Sequence, residues 1–122
     1  MKTHKDLEVW KKSMDFVTLI YDITSSFPES EKFGLANQIR RASVSIPSNI
    51  AEGASRQHNK EFIQFLYVAF GSLNEVETQY TIALNLGFID KEVYSKLEES
   101  KNDIGKMLSG LIKYQKTKTN QS

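Results

Sequence analysis

The sequence predicts an all-α protein, an antiparallel up-down-up-down four-helix bundle with a kinked second helix, on three observations. Four segments, at about residues 6–25, 30–52, 60–86 and 91–115, carry apolar residues every three or four positions, the period of one helix face. The breaks between them are short, so successive helices must be antiparallel neighbours. No segment shows the two-residue alternation of a half-buried strand. At 122 residues the chain is a single domain (1–122), long enough to bury roughly two-thirds of its unfolded surface.

The first helix carries two apolar stripes. Trp10, Met14, Val17 and Tyr21 form one; Phe16, Ile20 and Ile23, extended by Phe27, form the other. At about 100° per residue their centres lie roughly 110° apart, a wider face than one bundle core requires. Either the helix is deeply inserted, or one stripe faces the core and the other a neighbouring subunit. The candidate subunit interface is the stripe Phe16, Ile20, Ile23 and Phe27.

Pro28 breaks the chain after it, and Ser30 is placed to cap the second helix. That helix, with Leu35, Ile39, Ala42, Ile46 and Ile50 on its inner face, is the segment around which the chain is organised. Pro47 cannot donate to the carbonyl of Ser43, so a kink is expected there, with nearby serines bonding the freed carbonyls. Gly53 reads as the residue just past the helix end, where a positive φ is tolerated. The third helix follows the GASRQHN turn with Phe62, Leu66, Ala69, Leu73, Val76, Tyr80 and Leu84 inward. Gly71 and Ser72 at its centre read as a site of close helix approach. Residues 87–90 end it and cap the fourth helix, whose inner stripe is Val93, Leu97, Ile104, Leu108 and Leu111. The polar tail from Lys116 to Ser122 is expected to fray.

Composition excludes several classes. There is no cysteine, hence no disulfide and no thiolate metal site, as expected of a reducing cytoplasm. The N-terminus lacks the apolar core of a signal peptide, and the longest apolar run, residues 62–70, is too short to cross a bilayer. Neither His4 nor His58 has a carboxylate three residues before it, so the di-iron Glu-x-x-His pattern is missing. No phosphate loop occurs around Gly105-Lys106. No catalytic residue, cofactor, metal site or small-molecule substrate is assigned, and no membrane partner is expected.

Phe27-Pro28 with Glu31, Gly34-Leu35, Gln38-Ile39-Arg40-Arg41-Ala42, Ser45-Ile46, Asn49-Ile50-Ala51-Glu52-Gly53, and Gly71-Ser72-Leu73 with Glu75 together resemble the 23S rRNA intervening-sequence protein family. The resemblance spans about Leu7 to Tyr114. It implies a compact four-helix bundle that forms a homopentameric ring, with a biochemical role mostly unassigned. The family takes its name from reading frames inserted in large-subunit ribosomal RNA genes. It is also similar to the accessory variability determinant of diversity-generating retroelements, a pentamer thought to bind nucleic acid and a reverse transcriptase.

Two polar constellations stand out. Arg41, Asn49, Glu52 and Glu75 read as a structural network. In an antiparallel pair Arg41 and Glu75 fall within about one turn of each other, and a pairing between them sets register or a subunit contact. Loss of Glu75 is then expected to lower stability or break the assembly.

The second constellation is a gathering of charge. Although the net charge is only +1, the topology brings Lys2, Lys5, Lys11, Lys12, Arg56, Lys60, Lys113, Lys116 and Lys118 to one end. Nine cations there face four carboxylates, a net of five positive charges, while the remainder carries seven cations against eleven carboxylates. Lys5, Lys11, Lys12, Arg56, His58, Lys60, Lys113 and Lys116 are the candidate contacts to RNA or DNA, arranged as a basic rim in a ring. The competing reading is a solvated end whose lysines complement the dipole of the fourth helix. In its favour, no aromatic residue interleaves with these cations to stack on bases. The overall expectation is a non-catalytic, self-assembling scaffold or accessory factor; a ribosomal-RNA- or retroelement-associated nucleic-acid-binding protein is the alternative.

Overall fold

The periodic segments become four helices: α1 (Glu8–Thr24), α2 (Leu35–Ala54), α3 (Asn59–Asn85) and α4 (Lys91–Gln121), with 3-10 turns at His4–Asp6 and Glu29–Glu31. The structure is a computed structural model that describes residues 3–121, and the side chains of residues 3–118. Each helix packs on the next and α1 also meets α4, which closes an antiparallel bundle. Among the described residues there is no strand, and no helix is long and apolar enough to cross a membrane.

The core is built from all four inner stripes. Phe16 and Ile20 of α1, Ile39, Ile46 and Ile50 of α2, Leu66, Leu73, Val76 and Tyr80 of α3, and Leu97, Ile104 and Leu108 of α4 are each at most 1% exposed. The second stripe of α1, read above as the subunit interface, is therefore the chain's own core: Phe16, Ile20 and Phe27 are buried and Ile23 packs against them. The reason lies in its flanks. Ser13 and Thr24 are buried on that face and donate to the carbonyls of Val9 and Ile20 at 2.7 Å. Their hydroxyls are thus satisfied within the helix and widen the face that can be buried.

The helix ends depart from the sequence expectation in three places. α2 starts at Leu35 rather than Ser30, because Glu31 Oε1 accepts the Leu35 N–H at 3.0 Å. Gly34 makes room for that carboxylate, since a Cβ there would lie 2.8 Å from Glu31 Oε1. At its other end α2 runs past Gly53 to Ala54, and it is continuous through Pro47. Finally, α4 runs beyond the expected residue 115, as far as Gln121. Gly87 has the positive φ expected of a helix end, at 79°, and Asp90 Oδ1 accepts the Val93 N–H at 2.9 Å to cap α4.

Gly53 serves packing and not backbone conformation. A Cβ on it would lie 2.7 Å from Phe65 Cβ and 2.9 Å from Phe62 Cδ1, so α2 meets α3 there backbone to side chain. Higher up the same seam Ser45 Oγ and Ser72 Oγ share a 2.8 Å hydrogen bond. Gly71 is not part of that approach: it is exposed, and a Cβ on it meets nothing within 4 Å. Gly53→Leu is expected to push α3 away and lower stability by about 2–3 kcal/mol, read as a lower denaturation midpoint. A midpoint at or above that of the parent would show that the seam has slack.

The α3–α4 register is held by polar pairs at the core edge. Lys101 Nζ lies 3.1 Å from Glu77 Oε2, and Tyr80 donates its hydroxyl to Glu98 Oε1 at 2.5 Å. Burial first, and then the bond to the Glu98 carboxylate, pushes the Tyr80 phenol well above its ordinary range. The folded state therefore holds this proton more tightly than the unfolded one. Stability is unaffected below about pH 10 and falls above it, by up to ~1.4 kcal/mol per pH unit from this one group. Tyr80→Phe is expected to flatten that alkaline decline in a pH series of denaturation curves; an unchanged slope would count against it.

Candidate nucleic-acid interface and subunit surfaces

With the second stripe of α1 inside, the first is only partly covered: Trp10 and Val17 are half-buried, with Trp10 packed on the core, and the rest lies at the surface. Met14 and Tyr21 are 43% and 45% exposed, and Val44 of α2 beside them is 39% exposed. Between the two helices Trp10, Met14, Val17, Val44, Pro47 and Ala51 line an open, mostly apolar groove of about 380 Å³. The Arg40 guanidinium closes one end of this face, 4.8 Å over the Tyr21 ring, with Nε donating to Thr24 Oγ1 at 2.7 Å. On a different side of the bundle, Val68 and Ile82 of α3 are 51% and 41% exposed. Apolar surface is thus offered on two non-equivalent faces.

The polar network is only partly joined. Asn49 Nδ2 donates to the carbonyl and hydroxyl of Ser45, at 2.8 and 2.9 Å, and Ser45 continues to Ser72. The carbonyl so supported is that of Ser45 and not the Ser43 carbonyl that Pro47 leaves without its donor, while Ser43 Oγ itself donates to the Arg40 carbonyl at 2.8 Å. Glu52 turns away to Arg56 at 2.6 Å. Arg41 and Glu75 do line one recess, with Asn37, Gln38, Ala42, Ser45 and Gln79. Both are exposed, and among the described residues they form no ion pair within 4.0 Å. In solvent the attraction between such charges is weak and does not overcome the entropy of ordering two long side chains. Glu75→Ala is accordingly expected to leave the chain's own stability within about 0.5 kcal/mol of the parent; a loss several times larger in denaturant titration would restore the paired arrangement.

The antiparallel packing sets Trp10 beside Ala51, and Tyr67 beside Lys116, so the start of α1, the α2–α3 turn and the end of α4 share one end of the bundle. The cations assigned there are not equivalent. Lys11 lies 3.3 Å from Glu8, Lys12 lies 3.9 Å from Asp103, and Arg56 is held by Glu52 with Glu61 at 4.0 Å. Lys5, Lys60 and Lys113 are exposed and form no ion pair among the described residues. His58 is exposed at the residue before α3 and makes no side-chain cap. Lys2 lies outside the described residues.

Aromatic rings do stand beside these cations, contrary to the reading of the linear sequence. Lys116 Nζ donates to the Tyr67 hydroxyl at 2.7 Å and sits 5.3 Å from its ring centre. Arg56 lies 5.0 Å over Phe65, and Lys118 5.7 Å over Tyr114. Tyr67 and Lys116 are 49 positions apart, so only the α3–α4 register brings them together. Tyr114 and Lys118 are four apart on one helix, a spacing that does put two side chains on one face and was legible in the sequence.

Among the described residues no group of three or more His, Asp or Glu is placed to hold a metal ion. Fold and surface together define a helical bundle with apolar side faces and a cation-rich end. The chain belongs to the 23S rRNA-intervening sequence protein family, whose model matches residues 5–110. A solved structure from Bacteroides thetaiotaomicron VPI-5482, described as a protein with unknown function from the S23 ribosomal protein family, is similar to it. The two share 29% sequence identity over 86% of this chain and 95% of that one, with a TM-score of 0.80. No curated protein matches.

Proposed function

We propose that this protein is a non-catalytic, self-assembling helical bundle that closes into a homopentameric ring and acts as a scaffold or accessory factor in the cytoplasm. The observation that carries the reading is the apolar α1–α2 face of Met14, Val17, Tyr21 and Val44, left open when the other stripe of α1 is buried. A groove on one face and exposed apolar residues on another suit a heterologous contact, the kind that generates rings when the rotation closes. Five is the subunit number that the family resemblance implies. Light scattering at high concentration is expected to give five times the 13.9 kDa chain mass. A stable monomer would overturn the proposal.

A second reading, contact with nucleic acid through the basic end, is favoured by the three cation–ring pairs gathered there. Five copies of that end around a ring make one basic rim. Binding of this kind falls steeply between low and moderate salt as counterions are released. Charge reversal at Arg56 and Lys113 is expected to weaken it further; affinity indifferent to salt and to both substitutions would remove this reading and leave the scaffold.

A further inference from the structure

The α3–α4 groove at the basic end has a composition that the general charge of that end does not explain. It is an open groove of about 390 Å³ lined by Tyr67, Phe70, Ser109, Ile112, Lys113 and Lys116. Its volume falls in the range of small-ligand sites, roughly 300–1,000 Å³. Its floor is apolar, Ile112 being 6% exposed, while Tyr67 stands 49% exposed at its edge. Both cations are on α4, at the wall facing Tyr67.

We infer that this groove is a binding site for single-stranded nucleic acid, in which a base stacks against Tyr67 over the Phe70–Ile112 floor while Lys113 and Lys116 hold the flanking phosphates. The inference rests on the basic-end reading above and assigns it a specific place and substrate form.

Three observations carry it. First, the Tyr67 ring is half exposed yet fixed at its hydroxyl by Lys116, so a flat apolar surface is presented with little freedom left to lose. Stacking on a pre-positioned ring costs less ordering entropy than stacking on a mobile one. Second, the charges at the groove are unopposed. Lys116 commits one of its three N–H donors to Tyr67 and has two left for phosphate oxygens. Lys113 forms no ion pair among the described residues, whereas Arg56, Lys11 and Lys12 are paired with carboxylates; Lys5 and Lys60 are unpaired too, but no aromatic ring among the described residues stands against either of them.

Third, the platform is repeated. Tyr114, 58% exposed with Lys118 beside it, lies on the other flank of α4. A helix diameter of roughly 10–12 Å separates two such flanks, and the exposed Lys113 sits on α4 beside Tyr114 in sequence. A strand crossing α4 would meet ring, cation and ring in turn, the alternation of stacking platform and positive groove that binds single strands without reading sequence. A duplex has its bases already stacked and cannot use the rings. A carboxylate-bearing peptide would use the lysines but not two separate ring faces.

The test is fluorescence anisotropy of the full chain with a fluorescein-labelled twelve-nucleotide oligouridylate at low salt, beside a labelled duplex of the same length. The single strand is expected to bind more tightly than the duplex, and Tyr67→Ala to weaken it about five- to 150-fold. Tyr67→Phe keeps the ring and loses the hydroxyl bond that positions it, and is expected to bind more weakly than the parent but more tightly than Tyr67→Ala. It also guards against the trivial outcome, since a purely structural tie between α3 and α4 would be lost equally in both variants. Thermal melts of both variants establish that each is folded. Oligouridylate affinity unchanged in Tyr67→Ala but abolished by charge reversal at Arg56 would overturn the groove and leave the basic-end reading standing. Equal affinity for single strand and duplex would overturn stacking. Binding of neither nucleic acid would overturn both.

Discussion

Phe16→Ala is expected to destabilise the folded chain by about 3–5 kcal/mol, the range for removing a buried aromatic side chain. Phe16 is 1% exposed and lies with Ile20 and Phe27 in the single hydrophobic cluster that joins all four helices. Phe27 in turn packs on Phe88, with ring centres 5.5 Å apart, so this stripe also ties the α1–α2 connection to the α3–α4 turn. Surrounding helices relax only in part around the space left behind, and the residual cavity adds to the lost transfer free energy. Chemical denaturation of the purified variant measures the effect directly. The informative contrast is with the alternative placement: had this stripe been the subunit surface, the substitution would change the assembled mass and leave the chain's own stability nearly intact. That outcome would reverse the assignment of the two faces of α1.

Val44→Lys is expected to do the opposite, releasing 13.9 kDa chains from the proposed ring while leaving each one folded. Val44 is 39% exposed on the outer side of α2, so the substitution removes little buried area within one chain, and surface changes of this kind stay near ±0.5 kcal/mol. A lysine there also finds no carboxylate on its own helix. The residues three and four positions away are Arg40, Arg41, Pro47 and Ser48. An ammonium pressed into an apolar contact without a partner costs several kcal/mol, and the cost recurs at every subunit boundary. Light scattering reads the result as a fall to the mass of one chain, and circular dichroism verifies that helix content is kept. A ring of unchanged mass would show that the subunits meet elsewhere than the α1–α2 face.

These two expectations rest on different amounts of information in the chain. The inner faces of α2, α3 and α4 were legible in direction, because each carries one dominant stripe; at their edges Ala36, Ala83 and Ile112 are buried without having been read as core, and Leu35, Leu84, Val93 and Leu111 are only partly buried. The polar residues Ser13, Thr24, Ser43 and Gln79, all buried, were not legible. Three of the four hide their hydroxyls on carbonyls of their own helix, a possibility that residue type alone does not reveal. The cationic end was legible as a sum of charges along the topology. Which of those charges are free was not, since Glu52, Glu61 and Glu8 neutralise nearby cations and leave Lys5, Lys60 and Lys113 unpaired among the described residues.

Local sequence alone determined that this is a four-helix antiparallel bundle. The periods, the short breaks, the Asp90 cap and the positive φ of Gly87 act over a few residues, and each needs nothing beyond its own segment. Only the tertiary structure decided which stripe of α1 turns inward, that Gly53 is a contact point and not a helix terminus, and that Tyr67 meets Lys116. The physical reason is common to all three. Helical period specifies the angle between two faces but not their direction, and direction is chosen by which neighbours, tens of residues away in the chain, can fill the space each face leaves.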